Sequence, residues 1–202
     1  MSKVHNGLLL ILGMIVSYVG WMAIYPADPA TDAAAQAAAL RGDETLALVG
    51  LLMGFGGVLA MLIGLANFTR GMQTAAGSGS AYAGVSATLF GLVAAVVVVA
   101  TGLEFSVLDA SSDASATTLM GTSLAIGNGI MLTLGTAMLL LGIAIVLAKN
   151  IHIVAGALAI PAGVVLLIAP FMASDSPIGI VAWIGLGITT LGIGILSIRS
   201  AD

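Results

Sequence analysis

No cysteine occurs in this chain of 202 residues, and only 7% of its residues are charged. The first absence excludes disulfides, thiolate metal sites and cysteine nucleophiles within the chain. The second excludes an ordinary water-soluble domain, in which about a quarter of residues are charged. Histidine is nearly missing too: His5 and His152 alone cannot build a His-rich site. No basic patch is available for phosphates, so nucleic acid is not an expected partner. Nucleophile–base pairs, zinc motifs and phosphate-binding loops are also lacking. No catalytic residue, metal site or cofactor is therefore assigned, and the expectation is a protein that is not an enzyme.

What is present is apolar sequence. Hydrophobic residues make up 60% of the chain and mean hydropathy is +1.20. They fall into six runs: Gly7 to Tyr25, Thr45 to Asn67, Ala81 to Leu103, Thr117 to Ala148, Ile151 to Met172 and Ile178 to Ile198. Each approaches the roughly 20 residues needed to cross a hydrocarbon core about 30 Å thick. Lipid offers no hydrogen bonds, so a spanning backbone must satisfy itself. Continuous runs without alternation satisfy it as helices, not barrel strands. The first run is longer than a signal-peptide core and ends at Tyr25-Pro26-Ala27, a poor cleavage sequence, so it reads as a span. The expected fold is an all-α integral membrane protein, a single domain of six transmembrane helices.

Charge sets the expected orientation. Lys3, Arg70, Lys149 and Arg199 fall on one side of the alternating spans, and Arg41 alone among basic residues falls on the other. The positive-inside rule then places both termini in the cytoplasm of a cell-membrane protein. Every acid except Asp202 lies on the outer side. In the first outer loop, Pro26-Ala27-Asp28-Pro29 breaks the helix. A short interfacial helix is expected at about 32–41, with Asp32 as N-cap and Gly42 just past its end. Glu104 to Ala116 reads as a Ser- and Asp-rich loop, Phe68 to Ser80 as a flexible glycine-bearing one, and Asp175-Ser176-Pro177 as a tight turn. Trp21, Tyr25 and Trp183 fit an outer aromatic belt.

The even-numbered spans end alike, with Gly64-Leu65-Ala66 before Arg70, Gly142-Ile143-Ala144 before Lys149 and Gly192-Ile193-Gly194 before Arg199. Three pseudo-repeated hairpins account for this pattern, and the second and fourth spans align Gly57 with Gly135 and Gly64 with Gly142.

Glycine carries the main packing signal, because membrane helices associate through close backbone approach at small residues. Gly50, Gly54, Gly57, Gly135 and Gly142 are the helix-packing candidates. They serve either internal contacts or a surface for another chain. Asn128 lies between Gly127 and Gly129 in a fourth run whose 32 residues would reach about 48 Å, too long for the core. That span therefore projects into water or breaks at Asn128. Pro161 should kink the fifth span. A polar path can be drawn through Asn128, Thr133, Thr136, Pro161 and Glu104, although Glu104 alone is ionisable and reads as an interfacial acid.

Two functions compete. One is a non-enzymatic membrane protein acting through packing, as an accessory subunit of a membrane complex or a self-assembling module. Its partners are the lipid bilayer and either another membrane protein or a second copy. The alternative is a small channel or carrier for a neutral or weakly cationic solute, whose acidic outer loops attract cations.

Overall fold

The computed structural model describes residues 2–149, 153–172 and 177–200. Asn150, His152 and the turn at Asp175-Ser176 lie outside the described residues. Among those described there are helices and no strands. Six helices are long and apolar enough to cross a membrane.

The first is α1, Lys3–Tyr18, started by the Ser2 hydroxyl, which accepts from the His5 amide at 3.2 Å. It continues as a π-helical turn, Val19–Ile24, that carries Gly20 and Trp21. A short helix, α2 (Ala33–Gly42), follows, with the Asp32 carboxylate capping the Ala35 amide at 2.8 Å. Next come α3, Glu44–Thr74, and α4, Ser80–Leu108. The turn between them uses Gly79 at φ +87°, in the left-handed region. A β-carbon there would also lie 2.7 Å from the Ala144 carbonyl oxygen. The remaining helices are α5 (Asp113–Ala148), α6 (Ile153–Ile168, prolonged by a 3-10 turn over Ala169–Phe171) and α7 (Ile178–Arg199).

Several expected boundaries move. Phe68 to Thr74 is helical rather than a flexible loop, and so is Glu104 to Leu108. Both stretches retain enough apolar residues to keep one face buried, with Met72 and Val107 in the core. Gly127 and Gly129 do not interrupt α5, which runs unbroken for 36 residues, about 54 Å. A break at that depth would leave backbone groups unsatisfied, whereas an outward projection costs nothing once it is covered. Pro161 sits inside α6, which continues past it.

The long helices pack in chain order: α1 and its π turn on α3, then α3 on α4, α4 on α5, α5 on α6 and α6 on α7. α7 returns to α1, closing a ring. Two seams are glycine-tight. Along the first, a β-carbon on Gly20 would lie 2.3 Å from the Gly54 nitrogen, and one on Gly57 would lie 2.3 Å from the Ser17 nitrogen. Along the second, a β-carbon on Gly135 would lie 2.8 Å from the Gly163 carbonyl oxygen and one on Gly142 2.9 Å from that of Gly156, in antiparallel register. Larger side chains fill the rest. Leu10, Leu51, Met61, Leu62, Leu65, Phe90, Met138 and Leu141 have no accessible surface, so no water-sized gap adjoins them.

α2 does not lie apart. A β-carbon on Gly121 would sit 3.8 Å from that of Ala33, while the Arg41 guanidinium pairs with Asp113. α2 therefore runs antiparallel along the projecting end of α5, burying Ala37 and Leu40 against it. The Asp113–Gly121 end of α5 is the part that α2 lies along.

Candidate functional site

At the base of that outer arm three elements bring polar side chains together. Glu104 comes from the last turns of α4 and is only 7% exposed. Its two carboxyl oxygens are both occupied: Tyr25 Oη donates to Oε2 at 2.8 Å and Ser123 Oγ donates to Oε1 at 2.8 Å. Ser123 belongs to α5 and also lies 3.4 Å from the Ala100 carbonyl. Tyr25 is fixed by its surroundings. Its backbone rests on Gly50, where a β-carbon would meet the Tyr25 α-carbon at 2.8 Å, and its ring meets Trp21 edge-on at 4.6 Å. Trp21 in turn packs edge-on against Phe55 at 4.8 Å. The glycine that allows α3 to approach thus also sets the height of the phenol.

No lysine, arginine or histidine is bonded to Glu104 among the described residues. The carboxyl is therefore buried with hydroxyl partners only, an arrangement that leaves a negative charge uncompensated. Among the described residues no group of His, Cys, Asp and Glu side chains is arranged to hold a metal ion.

The other sequence candidates are not gathered here. Asn128 is exposed on α5, and Pro161 is exposed on α6. Thr133 and Thr136 donate to carbonyls of their own helix, Gly129 at 2.9 Å and Leu132 at 2.9 Å. The side-chain partners of Glu104 are Tyr25 and Ser123, and none of those four. Gly50, Gly54 and Gly57 face α1, its π turn and Tyr25, and Gly135 and Gly142 face α6. The aligned pair Gly57 and Gly135 therefore look toward the preceding helix in one case and the following helix in the other.

Sequence reasoning missed the two hydroxyl partners. Tyr25 read as an aromatic-belt residue, and Ser123 was not singled out. The available signal was the apolar stretch Phe105-Ser106-Val107-Leu108 after Glu104, which continues the helix and carries the acid inward. Two further hydroxyls bond across helices: Ser86 Oγ to the Ala137 carbonyl at 2.8 Å, and Tyr18 Oη to the Trp183 carbonyl at 2.6 Å. The second holds α1 to α7 beside Gly187, where a β-carbon would collide with the phenol at 2.3 Å.

One stretch of α5 is less covered than the rest, although Ile130 and Met131 within it pack against the core. From Leu124 to Thr133, α5 has no buried residue, although the helix is deeply packed from Leu134 onward. With α4 it forms an apolar groove of about 280 Å³ lined by Leu92, Val93, Val96, Ile126, Gly129, Ile130 and Thr133. Beside it, Gly91, Gly102, Gly127 and Gly129 have nothing within 4 Å of an added β-carbon.

Comparison with protein-family models, with curated proteins and with solved structures finds no match to this chain.

Proposed function

We propose that the chain is a non-enzymatic multi-pass membrane protein that works through helix packing, as a subunit of a membrane assembly. The observation that carries this is the unburied stretch of α5, where Asn128 stands exposed between two glycines beside an apolar groove. Asn128 stands about 30 Å along α5 from its Lys149 end, at the edge of the hydrocarbon core, where an amide gains from a polar partner and small residues around it leave room for another backbone. A second copy is the occupant this chemistry favours. Two copies inserted in the same sense and related by a twofold axis along the membrane normal bring Asn128 to Asn128 at equal depth. An amide supplies both donor and acceptor, so the pair satisfies itself.

The glycine seams support a rigid packed subunit rather than a free surface, because the five glycines singled out by sequence are used inside the ring. Cytoplasmic termini are part of the same proposal. Lys3, Arg70, Lys149 and Arg199 cluster at one end of an alternating bundle, and Lys3 Nζ donates to the Ser200 carbonyl at 2.8 Å. The three-hairpin repeat has the matching span ends in its favour, while the opposed directions of Gly57 and Gly135 speak for a looser relation.

The test is mild solubilisation from native membranes, native separation, and mass spectrometry of each band. A dimer that Asn128→Leu converts to monomer supports the proposal. A stoichiometric foreign partner moves the role to an accessory subunit of that complex, and a monomer refutes both.

A carrier for a neutral or weakly cationic solute has one observation in its favour, the buried acid Glu104 near the outer end. Solute flux in liposomes that is lost in Glu104→Gln would support it.

A further inference from the structure

The hydrogen bonds of Glu104 leave its charge unmatched. Its carboxyl is 7% exposed, and the side chains bonded to it, Tyr25 and Ser123, are neutral hydroxyls. Arg41, the basic residue at this end of the bundle, is paired with Asp113 instead. A carboxylate is retained in a buried place where an opposite charge balances it, whether a side chain or an ion.

What surrounds the carboxyl is a set of hard oxygen donors. Ser123 Oγ lies 2.8 Å from Glu104 Oε1 and 3.4 Å from the Ala100 carbonyl oxygen. The second separation is long for a hydroxyl hydrogen bond, which rarely exceeds about 3.0 Å. Both separations suit neighbouring ligands of one ion. Oxygens held about 2.3–2.6 Å from a cation of the size of calcium or sodium stand about 3.3–3.7 Å apart at right angles, and closer at narrower angles. Tyr25 Oη keeps its 2.8 Å bond to Oε2, so an ion on the Oε1 side leaves the phenol in place. Only the Ser123 hydroxyl turns, and its proton can pass to a carbonyl of its own helix, the bond that Thr122 and Thr133 already make.

Charge selects the ion. One carboxylate among neutral oxygens balances a monovalent cation, whereas a divalent one would keep a net positive charge in apolar surroundings. Among the described residues no group of His, Cys, Asp and Glu side chains gathers to hold a metal, so the donors are those of an alkali cation. Potassium, the larger ion, would spread these oxygens beyond their present spacing. Asp43, Glu44 and Asp109, exposed at the same end of the bundle, raise the local concentration of cations.

We propose that Glu104 Oε1, Ser123 Oγ and the Ala100 carbonyl form a sodium site, completed by water, that ties α4 to α5. The site does not depend on any assembly through Asn128, so either can fail alone.

The experiment follows thermal unfolding of the full chain in detergent at mildly alkaline pH, with sodium chloride exchanged for potassium or choline chloride at constant ionic strength. The midpoint is expected to rise with the logarithm of sodium concentration, less with potassium, and not with choline. Radioactive sodium should bind at one ion per chain. Glu104→Gln, which keeps a polar group for both hydroxyls, is expected to unfold cooperatively yet lose the sodium response and the bound ion. Ser123→Ala keeps the carboxylate and should weaken sodium binding by about tenfold, the loss of one ligand, while Thr122→Ala on the exposed side leaves it unchanged. An equal response to sodium, potassium and choline overturns the proposal, and so does a sodium response that survives Glu104→Gln. If the Gln variant does not fold, Ser123→Ala decides: sodium affinity equal to that of the unaltered chain overturns the site.

Discussion

At the residue scale, the cost of a β-carbon separates glycines that sequence alone treats alike. A β-carbon on Gly20 or Gly57 would lie 2.3 Å from a backbone atom, so a methyl group must push whole helices apart. Gly20→Ala or Gly57→Ala is expected to destabilise the bundle by about 1–3 kcal/mol, the range for overpacking, as read by thermal unfolding in detergent. Gly91→Ala is the counterpart. Nothing lies within 4 Å of its added carbon, so the gain in helix propensity, up to about 1 kcal/mol, should leave stability unchanged or raised. Replacement of Gly50, Gly54 or Gly57 by Leu should therefore unfold the subunit before it weakens any contact with another chain. The hydroxyl clamps are expected to be modest. Tyr18→Phe frees the Trp183 carbonyl and should cost roughly 0.6 kcal/mol, the average for such interhelical bonds.

At the element scale, the apolar runs were legible because length and uninterrupted hydropathy are properties of the sequence itself. The ends were not, because they depend on tertiary cover. Glu104 to Leu108 opens a segment that reads as a Ser- and Asp-rich loop as far as Ala116, yet it stays helical because Val107 enters the core and the Glu104 oxygens find hydroxyls on two other elements. The excess length of the fourth run was readable, but its purpose was not. Nothing in residues 113–121 announces that Ala33–Gly42 will lie along them. Once the pairing is known, its energetics follow. The Arg41–Asp113 pair is exposed on the acid side, so Arg41→Ala should cost no more than about 1 kcal/mol. Leu40→Ala removes a fully buried side chain from the same helix and should cost about 2–5 kcal/mol of arm closure. Maleimide labelling of Ala37→Cys, a buried position on the same helix, in each background ranks the two.

At the scale of the whole molecule, six helices in chain order form a ring whose closure by α7 on α1 no local pattern reveals. The glycine seams make this ring tight at α1–α3 and α5–α6, and large side chains occupy the remaining interior. The surface left over is uneven. Much of it carries aliphatic side chains suited to lipid, while the exposed side of α5 between Leu124 and Thr133 carries the Asn128 amide, glycines and a groove. The subunit reading stands on that contrast, and the absence of native cysteine allows it to be tested in the membrane. Asn128→Cys is oxidised in native membranes and compared with Leu158→Cys, an exposed position on α6. The account predicts a disulfide-linked dimer through position 128 and none through position 158. Equal crosslinking at both, or none at 128, would contradict it.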